Sequence, residues 1–471
     1  MDYIIIVGAG KTGTVLAKEI SRYLAAKKMT KPEIRIFDGK KVTKKDTREG
    51  FYLPEDRGFE KGATAAMILS AAYKGLRITG FGHLQPDNNL SETMSFSCWQ
   101  TNRVMICDCS GGQAIEQITE QLLVMKNNCS FTLLLPCEKG LFTRSFSKGD
   151  NRMETVRKIL REKPLCGGTS ALKRRTAYTM LGNLIRLLEE KSPENWILWD
   201  STDPLNYQGK KRGILPESLK MASLPFAAEK ADIICVGAGG TGGNIVKEII
   251  PLLLKNKRLT LTIVDGDRVE EKNLSRQAFS SEDIQAFKSQ VLAEKIRKAY
   301  PDLRDRISAV TGYIDTVDQM PAAENYPVLI GAVDNHRARQ VFVQWFQLQR
   351  DGLWIDSANE FRYGEIVVSI RHNGKTISPL RSDIFPEVLT DHSPSASELS
   401  CGAVNQSDPQ HQLTNLVAAG TVVSVLEEAF YEKQIQGGLV YFEALSTKGA
   451  YSDGVYAKRR PLYTREVKAY A

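Results

Sequence analysis

Glycines and acidic residues in an order that suits a nucleotide lie between residues 231 and 277. An apolar run, residues 233–236, enters a glycine-rich turn, and a segment with helical apolar spacing, residues 245–254, leaves it. Glycines let a backbone approach a phosphate, and the positive end of the following helix favours an anion. A second apolar run ends in Asp265, which is placed to accept hydrogen bonds from ribose hydroxyls. The predicted phosphate contacts are Gly237, Gly239, Gly240 and Gly242.

The residues downstream of Asp265 separate two classes of nucleotide enzyme. A glycine turn with a strand-end acid occurs in dehydrogenases as well as in ATP-using enzymes, so it does not decide between them. Arg276 and Lys288 add two cations, and Asp334 follows a third apolar run, residues 328–333. Attack on the α-phosphate of ATP builds charge on phosphoryl oxygens, which fixed cations and a magnesium ligand stabilise. The pattern therefore favours ATP over a nicotinamide cofactor.

Together these motifs resemble the ThiF/MoeB superfamily, the adenylating enzymes that activate ubiquitin and ubiquitin-like proteins. The resemblance spans residues 229–445 and rests on GAGGTGG (237–243), DGD (265–267), NLSRQ (273–277), Lys288 and AVDNHRAR (332–339). It implies that Asp265 holds the ribose and that Asp334 binds Mg²⁺. It assigns the phosphates to Asn273, Arg276 and Lys288, and further nucleotide contacts to Asp267, Gln277 and Asn335. His336, Arg337 and Arg339 either line the nucleotide or are solvated.

The first half of the chain repeats this pattern. Residues 4–7 enter Gly8, Ala9 and Gly10, and Asp38 ends the next apolar run. Lys61 follows Asp38 by the same 23 residues that separate Lys288 from Asp265. We therefore predict an α/β fold of two tandem Rossmann-like, ThiF-type adenylation units that form an internal pseudo-dimer. Whether two chains also associate stays open.

The two copies are not chemically equivalent. Lys11 stands where the second copy has Gly240, and aligning the apolar runs places Ser110 opposite Asp334. Residues 1–150 are thus predicted to be a degenerate, inactive repeat, with a second working site as the alternative. Residues 151–228 complete the first repeat and link it to the active domain, residues 229–471.

A long connection, from about residue 372 to about residue 412, carries the second chemical feature. It contains Cys401, the only cysteine after Cys235, shortly before a helical segment. By the resemblance, Cys401 occupies the position of the cysteine that takes over the activated acyl group, and a nearby helix N-terminus would favour its thiolate. The alternative is a loop cysteine without a role. Cys166 holds the matching position of the first copy, as a relic or a rival nucleophile.

The predicted activity is ATP-dependent adenylation of the C-terminal glycine of a ubiquitin-like protein, then thioester formation on Cys401 for a ubiquitin-conjugating-type enzyme. ATP and Mg²⁺ are the expected cofactors. A sulfur-carrier adenylyltransferase of cofactor biosynthesis is one alternative, and a nucleotide-binding pseudoenzyme scaffold is another. A nicotinamide dehydrogenase is less favoured than these.

Composition limits the remaining classes. No apolar run approaches the roughly 18 residues that a membrane helix needs, and the first residues read as a strand and a glycine turn, which predicts a cytoplasmic protein. Eight scattered cysteines do not indicate a disulfide framework, and the lack of a CxxC motif argues against structural zinc. The net charge of +8 is dispersed, so neither a nucleic acid nor a membrane partner is expected.

Overall fold

The protein is described here from a computed structural model. The structure describes residues 3–47, 51–82, 103–114, 118, 131–137, 140–146, 170–189, 196–198, 222–274, 277, 279–360, 363–391 and 412–444. The chain divides into two compact units, Met1–Thr202 with Ser446–Ser452, and Asp203–Leu445 with Asp453–Ala471. The division lies inside the segment 151–228 that the sequence assigns to the end of the first repeat and a linker.

The first unit is built on a sheet of seven described strands in the order β3-β2-β1-β4-β5-β6-β7. Strands β1 to β5 are parallel, and β6 and β7 run antiparallel to their neighbours. Every residue of β1 is buried, as expected for a parallel strand covered on both faces. The strands are β1 Tyr3–Val7, β2 Glu33–Phe37, β3 Arg77–Phe81, β4 Val104–Asp108, β5 Phe131–Cys137, β6 Gly140–Phe146 and β7 Trp196–Leu198. The helices are α1 Lys11–Ala26, α2 Lys44–Thr47, α3 Lys61–Ala72 and α4 Ser170–Leu188.

The second unit contains a nine-stranded sheet within its described residues, in the order β11-β10-β9-β12-β13-β14-β16-β8, with β15 paired to β14. Strands β9 to β13 are parallel, and β14, β15, β16 and β8 are added antiparallel. The strands are β8 Ala222–Pro225, β9 Ala231–Val236, β10 Leu259–Val264, β11 Ile307–Val310, β12 Tyr326–Gly331, β13 Gly352–Asn359, β14 Tyr363–His372, β15 Lys375–Thr376 and β16 Gln434–Glu443.

Helices of the second unit connect these strands. They are α5 Gly240–Glu248, α6 Ile250–Lys255, α7 Glu271–Leu274, α8 Lys288–Ala299, α9 His336–Leu348, α10 Arg381–Ile384, α11 Glu387–Thr390 and α12 Gln412–Glu427. Trp354 on β13 packs against Phe342 and Phe346 of α9, in the core that supports the carboxyl end of β12. The mixed α/β content and parallel sheet confirm the predicted Rossmann-like class, whereas the pseudo-dimer stays a prediction.

Helix α12 continues as a π-helical turn, Glu428–Glu432. The combined segment of 21 residues has the length and composition of a membrane span, which the sequence reading overlooked. In the structure, 94% of its 18-residue window is buried within the protein. We therefore read this segment as a core helix.

In both units, successive strands are added on one side of the first strand and later ones on its other side. The strand order therefore reverses at this first strand. Strand β1 lies between β2 and β4, and β9 lies between β10 and β12. Ligands of open α/β sheets bind in the crevice at the carboxyl ends of the strands at such a switch point. This location places the glycine turn after β9 at the centre of the candidate site.

Candidate nucleotide site

Two glycines shape the turn itself. Gly237 has a φ of +97°, in the left-handed region that favours glycine, and its N–H donates to the Val264 carbonyl at 2.8 Å. A Cβ on Gly237 would lie 2.4 Å from the Ala332 oxygen, so the turn passes directly against the end of β12. A Cβ on Gly242 would lie 1.8 Å from the Gly237 oxygen, so α5 packs on its own turn. Both glycines are thus required by the backbone before any ligand binds.

The other two predicted glycines differ from each other. Gly239 is the N-cap residue of α5, and a Cβ there would meet nothing within 4 Å. The space beside the first N–H groups of α5 is therefore open on this side, as phosphate binding requires. A Cβ on Gly240 would lie 2.4 Å from Nδ2 of Asn415, so a side chain of α12 fills that direction.

Asp265 connects the glycine turn after β9 to the turn that follows β10. Its Oδ2 accepts a hydrogen bond from the Ala238 N–H at 2.5 Å, and its Oδ1 accepts one from the Asp267 N–H at 2.8 Å. Burial raises the pKa of Asp265 to about 6, although Lys288 opposes this shift. Each carboxylate oxygen has a second lone pair, so Asp265 fits the predicted ribose contact.

Lys288 is held by Asp267, which Tyr313 holds in turn. It begins α8, is only 7% exposed, and its Nζ lies 2.7 Å from Asp267 Oδ2. Tyr313 donates its hydroxyl to Asp267 Oδ1 at 2.6 Å. Although burial raises the pKa of Asp267, Lys288 and Tyr313 outweigh it and hold that pKa below its usual value. The predicted cation is therefore buried and fixed in direction.

Asn273 and Gln277 lie in the segment between β10 and α8. Asn273 is buried, and its Oδ1 accepts the Glu270 N–H at 2.8 Å. Gln277 donates its backbone N–H to the Asn273 carbonyl at 2.8 Å. Its buried Oε1 has no hydrogen-bond partner among the described residues. Arg276, predicted beside them, lies outside the described residues, as do Cys401 and Cys166.

Asp334 and Asn335 follow β12 with different roles. Asp334 is exposed, whereas Asn335 caps α9, its Oδ1 accepting the Ala338 N–H at 2.8 Å. In the described part of the chain, no three His, Cys, Asp or Glu residues are placed to share a metal ion. Mg²⁺ is commonly held by one or two carboxylates together with substrate phosphates. A single exposed carboxylate beside the phosphate turn fits that form of binding.

A buried ion network below Asp334 was missed by the sequence reading. Arg339 is 4% exposed, and its guanidinium lies 3.2 Å from Asp356 Oδ2 and donates to the Val333 carbonyl at 2.7 Å. Arg381 joins Asp356 at 3.1 Å and Glu365 at 2.6 Å. Arg339 therefore neither lines the nucleotide nor is solvated. The available signal was its spacing of three and seven residues from Phe342 and Phe346, which places it on the buried face of α9.

His336 and Arg337 also begin α9. Nδ1 of His336 lies 3.1 Å from Oδ2 of Asp391, and burial followed by the charge of Arg339 lowers the pKa of His336. Arg337 is exposed. Neither side chain is brought to the glycine turn by a contact that the structure shows.

Residues 227–448 match the family model described as "ThiF family". Comparison with curated proteins gives no match. Among solved structures, "TcdA (CsdL)" is similar with 18% sequence identity, covering 43% of this chain and 86% of its own, at a TM-score of 0.31.

Proposed function

We propose that the ThiF family domain at residues 227–448 makes this chain an ATP-dependent adenylyltransferase that activates the C-terminal glycine of a ubiquitin-like protein. The observation that carries the proposal is the buried Lys288, held by Asp267 beside the glycine turn. Hydride transfer develops no charge on the phosphates, so its chemistry does not call for a fixed cation there. An enzyme that breaks the bond between the α- and β-phosphates does, because charge develops there.

The residues of the site have separable tasks in this reaction. The N–H groups at the start of α5, next to the open side of Gly239, bind phosphoryl oxygens. Asp265 accepts from the ribose hydroxyls, and Lys288 donates to a phosphoryl oxygen while Asp267 keeps its ammonium in place. Mg²⁺, when bound, would neutralise charge on the polyphosphate, and Asp334 would hold it.

The chemical step is displacement at phosphorus. A carboxylate oxygen of the terminal glycine forms a bond to the α-phosphorus, and the bond from that phosphorus to the α,β-bridging oxygen breaks. The products are an acyl-adenylate and pyrophosphate. Pyrophosphate leaves with the electron pair of the broken bond, so cations near the bridging oxygen lower the barrier.

Transfer to Cys401 completes the proposed sequence. The thiolate sulfur attacks the acyl carbon, AMP leaves, and the thioester is then available to a conjugating enzyme. The sulfur-carrier alternative shares the adenylation step and differs in its product, a thiocarboxylate. Cytoplasmic location, the choice of partner and the absence of a nucleic acid partner also stay predictions.

The test is pyrophosphate exchange into ATP by the full chain, stimulated by a small protein that ends in glycine. We expect exchange with the native carboxylate and none with a C-terminally amidated partner. A chain that binds ATP yet makes no AMP with any glycine-ending partner would be a scaffold instead. Loss of a reducible adduct in Cys401→Ala, with retention in Cys166→Ala, would support the thioester. A mass gain on the carrier that matches a thiocarboxylate would favour sulfur transfer.

A further inference from the structure

Three polar side chains from distant parts of the second unit meet beside the glycine turn. They are Thr241 in the first turn of α5, Asn359 at the end of β13, and Asn415 in the first turn of α12. Asn359 Nδ2 donates to the Thr241 hydroxyl at 2.6 Å, and that hydroxyl donates to Asn415 Oδ1 at 3.0 Å. Asn359 Nδ2 also lies 3.3 Å from Asn415 Oδ1.

This chain of hydrogen bonds fixes the orientation of the Asn415 amide. Asn359 Nδ2 can only donate, so turning the Asn415 amide over by itself would place one NH₂ group against another. Nδ2 therefore faces Gly240, where a Cβ would lie 2.4 Å from that nitrogen. Gly240 is a glycine because Asn415 needs the space. In the first unit, Lys11 stands at the position that corresponds to Gly240.

Among the described residues, the Asn415 amide nitrogen has no hydrogen-bond acceptor. Asn415 is 8% exposed, and its hydrogen bonds to the part of the chain that the structure describes all go to Oδ1. Polar atoms of a buried side chain normally have a hydrogen-bond partner, so this donor is available to an acceptor that a ligand supplies. The nitrogen also lies at the positive end of α5, where the free N–H groups call for an anion. Both features are satisfied by a negatively charged oxygen.

We propose that Asn415 Nδ2 donates to a phosphoryl oxygen of the nucleotide bound at the start of α5, with Thr241 and Asn359 as positioning residues. This inference rests on the proposed function. It assigns Asn415 to the phosphate site, although α12 is otherwise a helix of the hydrophobic core. It also gives Gly240 a role that differs from that of Gly239, since only Gly239 leaves open space at the turn.

The test is direct binding of a non-reacting nucleotide, α,β-methylene ATP with Mg²⁺, to the full chain by calorimetry. Asn415→Ala should bind about tenfold more weakly, as expected when one hydrogen bond to a charged group is lost. The matched control is Asn183→Ala, because Asn183 is a buried asparagine on α4 of the first unit. Equal affinity of Asn415→Ala and the native chain would overturn the inference.

A second pair of variants addresses positioning and guards against misfolding of Asn415→Ala. Thr241→Val removes the bridging hydroxyl and should weaken nucleotide binding, whereas Thr241→Ser should restore it. A merely structural role predicts that Val, being nearly isosteric, binds as well as Ser, and that result would overturn the positioning. A native chain that binds no nucleotide would defeat the proposed function itself. Native affinity that both Asn415→Ala and Thr241→Val retain would defeat this inference alone.

Discussion

The two units share one strand order but differ in the charged residues at the carboxyl ends of the strands. Order β3-β2-β1-β4-β5-β6-β7 of the first unit corresponds strand by strand to β11-β10-β9-β12-β13-β14-β16 of the second. An isolated β-bridge also occurs at the same place in both units. It pairs Lys41 with Glu60 in the first unit and Arg268 with Phe287 in the second. Apolar strands and glycine turns thus preserve a topology while the residues that could do chemistry change.

The lysines at the shared offset show the difference most directly. Lys288 is held by Asp267, two residues after the strand-end acid Asp265. In the first unit, the residue that corresponds to Asp267 is Lys40, whose side chain bonds to Gln113. Lys61, which corresponds to Lys288, is instead held by Asp46 at 2.6 Å. Asp46 lies on α2, in the place that Asn273 has on α7. The first unit thus keeps the ion pair but moves its carboxylate to another element.

The buried carboxylate lies on different strands in the two units, as Asp108 on β4 of the first and Asp356 on β13 of the second. Pairing with the central strand places Asp108 opposite Val7 and Gly331 opposite Val236, so Asp108 corresponds to Gly331. This register makes Gly111, not Ser110, the counterpart of Asp334, which corrects the sequence alignment by one residue. A Cβ on Gly331 would lie 2.3 Å from Oδ1 of Asp356, so the neighbouring strand fills that space. Burial raises the pKa of Asp108, whose Oδ1 accepts from Ser110.

The largest expected effect concerns the buried arginines beside Asp356 in the second unit. Arg339→Ala should destabilise the chain by about 3–5 kcal/mol, because Asp356 and two carbonyls lose a buried partner. Denaturant unfolding followed by tryptophan fluorescence measures the change. Arg337→Ala, an exposed neighbour, should be nearly neutral, and equal losses in the two variants would contradict the network.

The next effect separates the two lysines. Lys288→Ala should lower the rate of pyrophosphate exchange by about a hundredfold or more, as for other groups that stabilise transition-state charge. Lys61→Ala, the matched change in the first unit, should leave exchange unchanged. Similar losses in both variants would show that the first unit works too, and the predicted inactive repeat would be wrong.

A smaller effect follows from the acid at the end of β10. Because burial raises the pKa of Asp265 to about 6, the ionised form that accepts from a ribose is lost as the pH falls through that value. Nucleotide affinity should then fall by up to about tenfold per pH unit below about 6. Asp265→Asn should abolish this dependence, and Asp38→Asn should keep it. A profile unchanged by Asp265→Asn would reject the ribose role.

The same raised pKa has a consequence for stability, with a definite sign. The folded pKa of Asp265 lies above its ordinary value of 3.8, so the folded state binds more protons between pH 3.8 and about 6. Stability contributed by this group is therefore lost as the pH rises through that window. Asp265→Asn should show a smaller fall in unfolding free energy from pH 4 to pH 6 than the native chain.

The smallest effect concerns Tyr313. Tyr313→Phe removes the 2.6 Å hydrogen bond to Asp267 but leaves the ion pair with Lys288. We expect the KM for ATP to rise about two- to tenfold, the value of one ordinary hydrogen bond. Tyr52→Phe removes the comparable hydroxyl of the first unit, which donates to the Ala9 carbonyl, and should leave the KM unchanged. A similar rise in both variants would argue against a local role for Tyr313.

Much of the site could be predicted because its residues are close in sequence. The turn after β9, Asp265 and Lys288 follow one another along a βαβ unit, where spacing alone fixes which strand end each residue occupies. Tyr313 and Asn415 could not be found this way. They reach the same edge from the loop after β11 and from α12, and no local pattern distinguishes a core tyrosine or a buried helical asparagine from a ligand contact.

By itself the sequence determined the two repeats, the parallel central strands, the glycine turns and the acids that end the neighbouring strands. These features depend on apolar periodicity and on backbone freedom, which are local properties of a chain. Only the tertiary structure decided that Gly240 makes room for Asn415, that Arg339 is buried with Asp356, and that Asp108 corresponds to Gly331. These three features depend on contacts between side chains that are far apart in sequence. In a close-packed interior only one side chain can fill a given space, and local sequence does not show which one does.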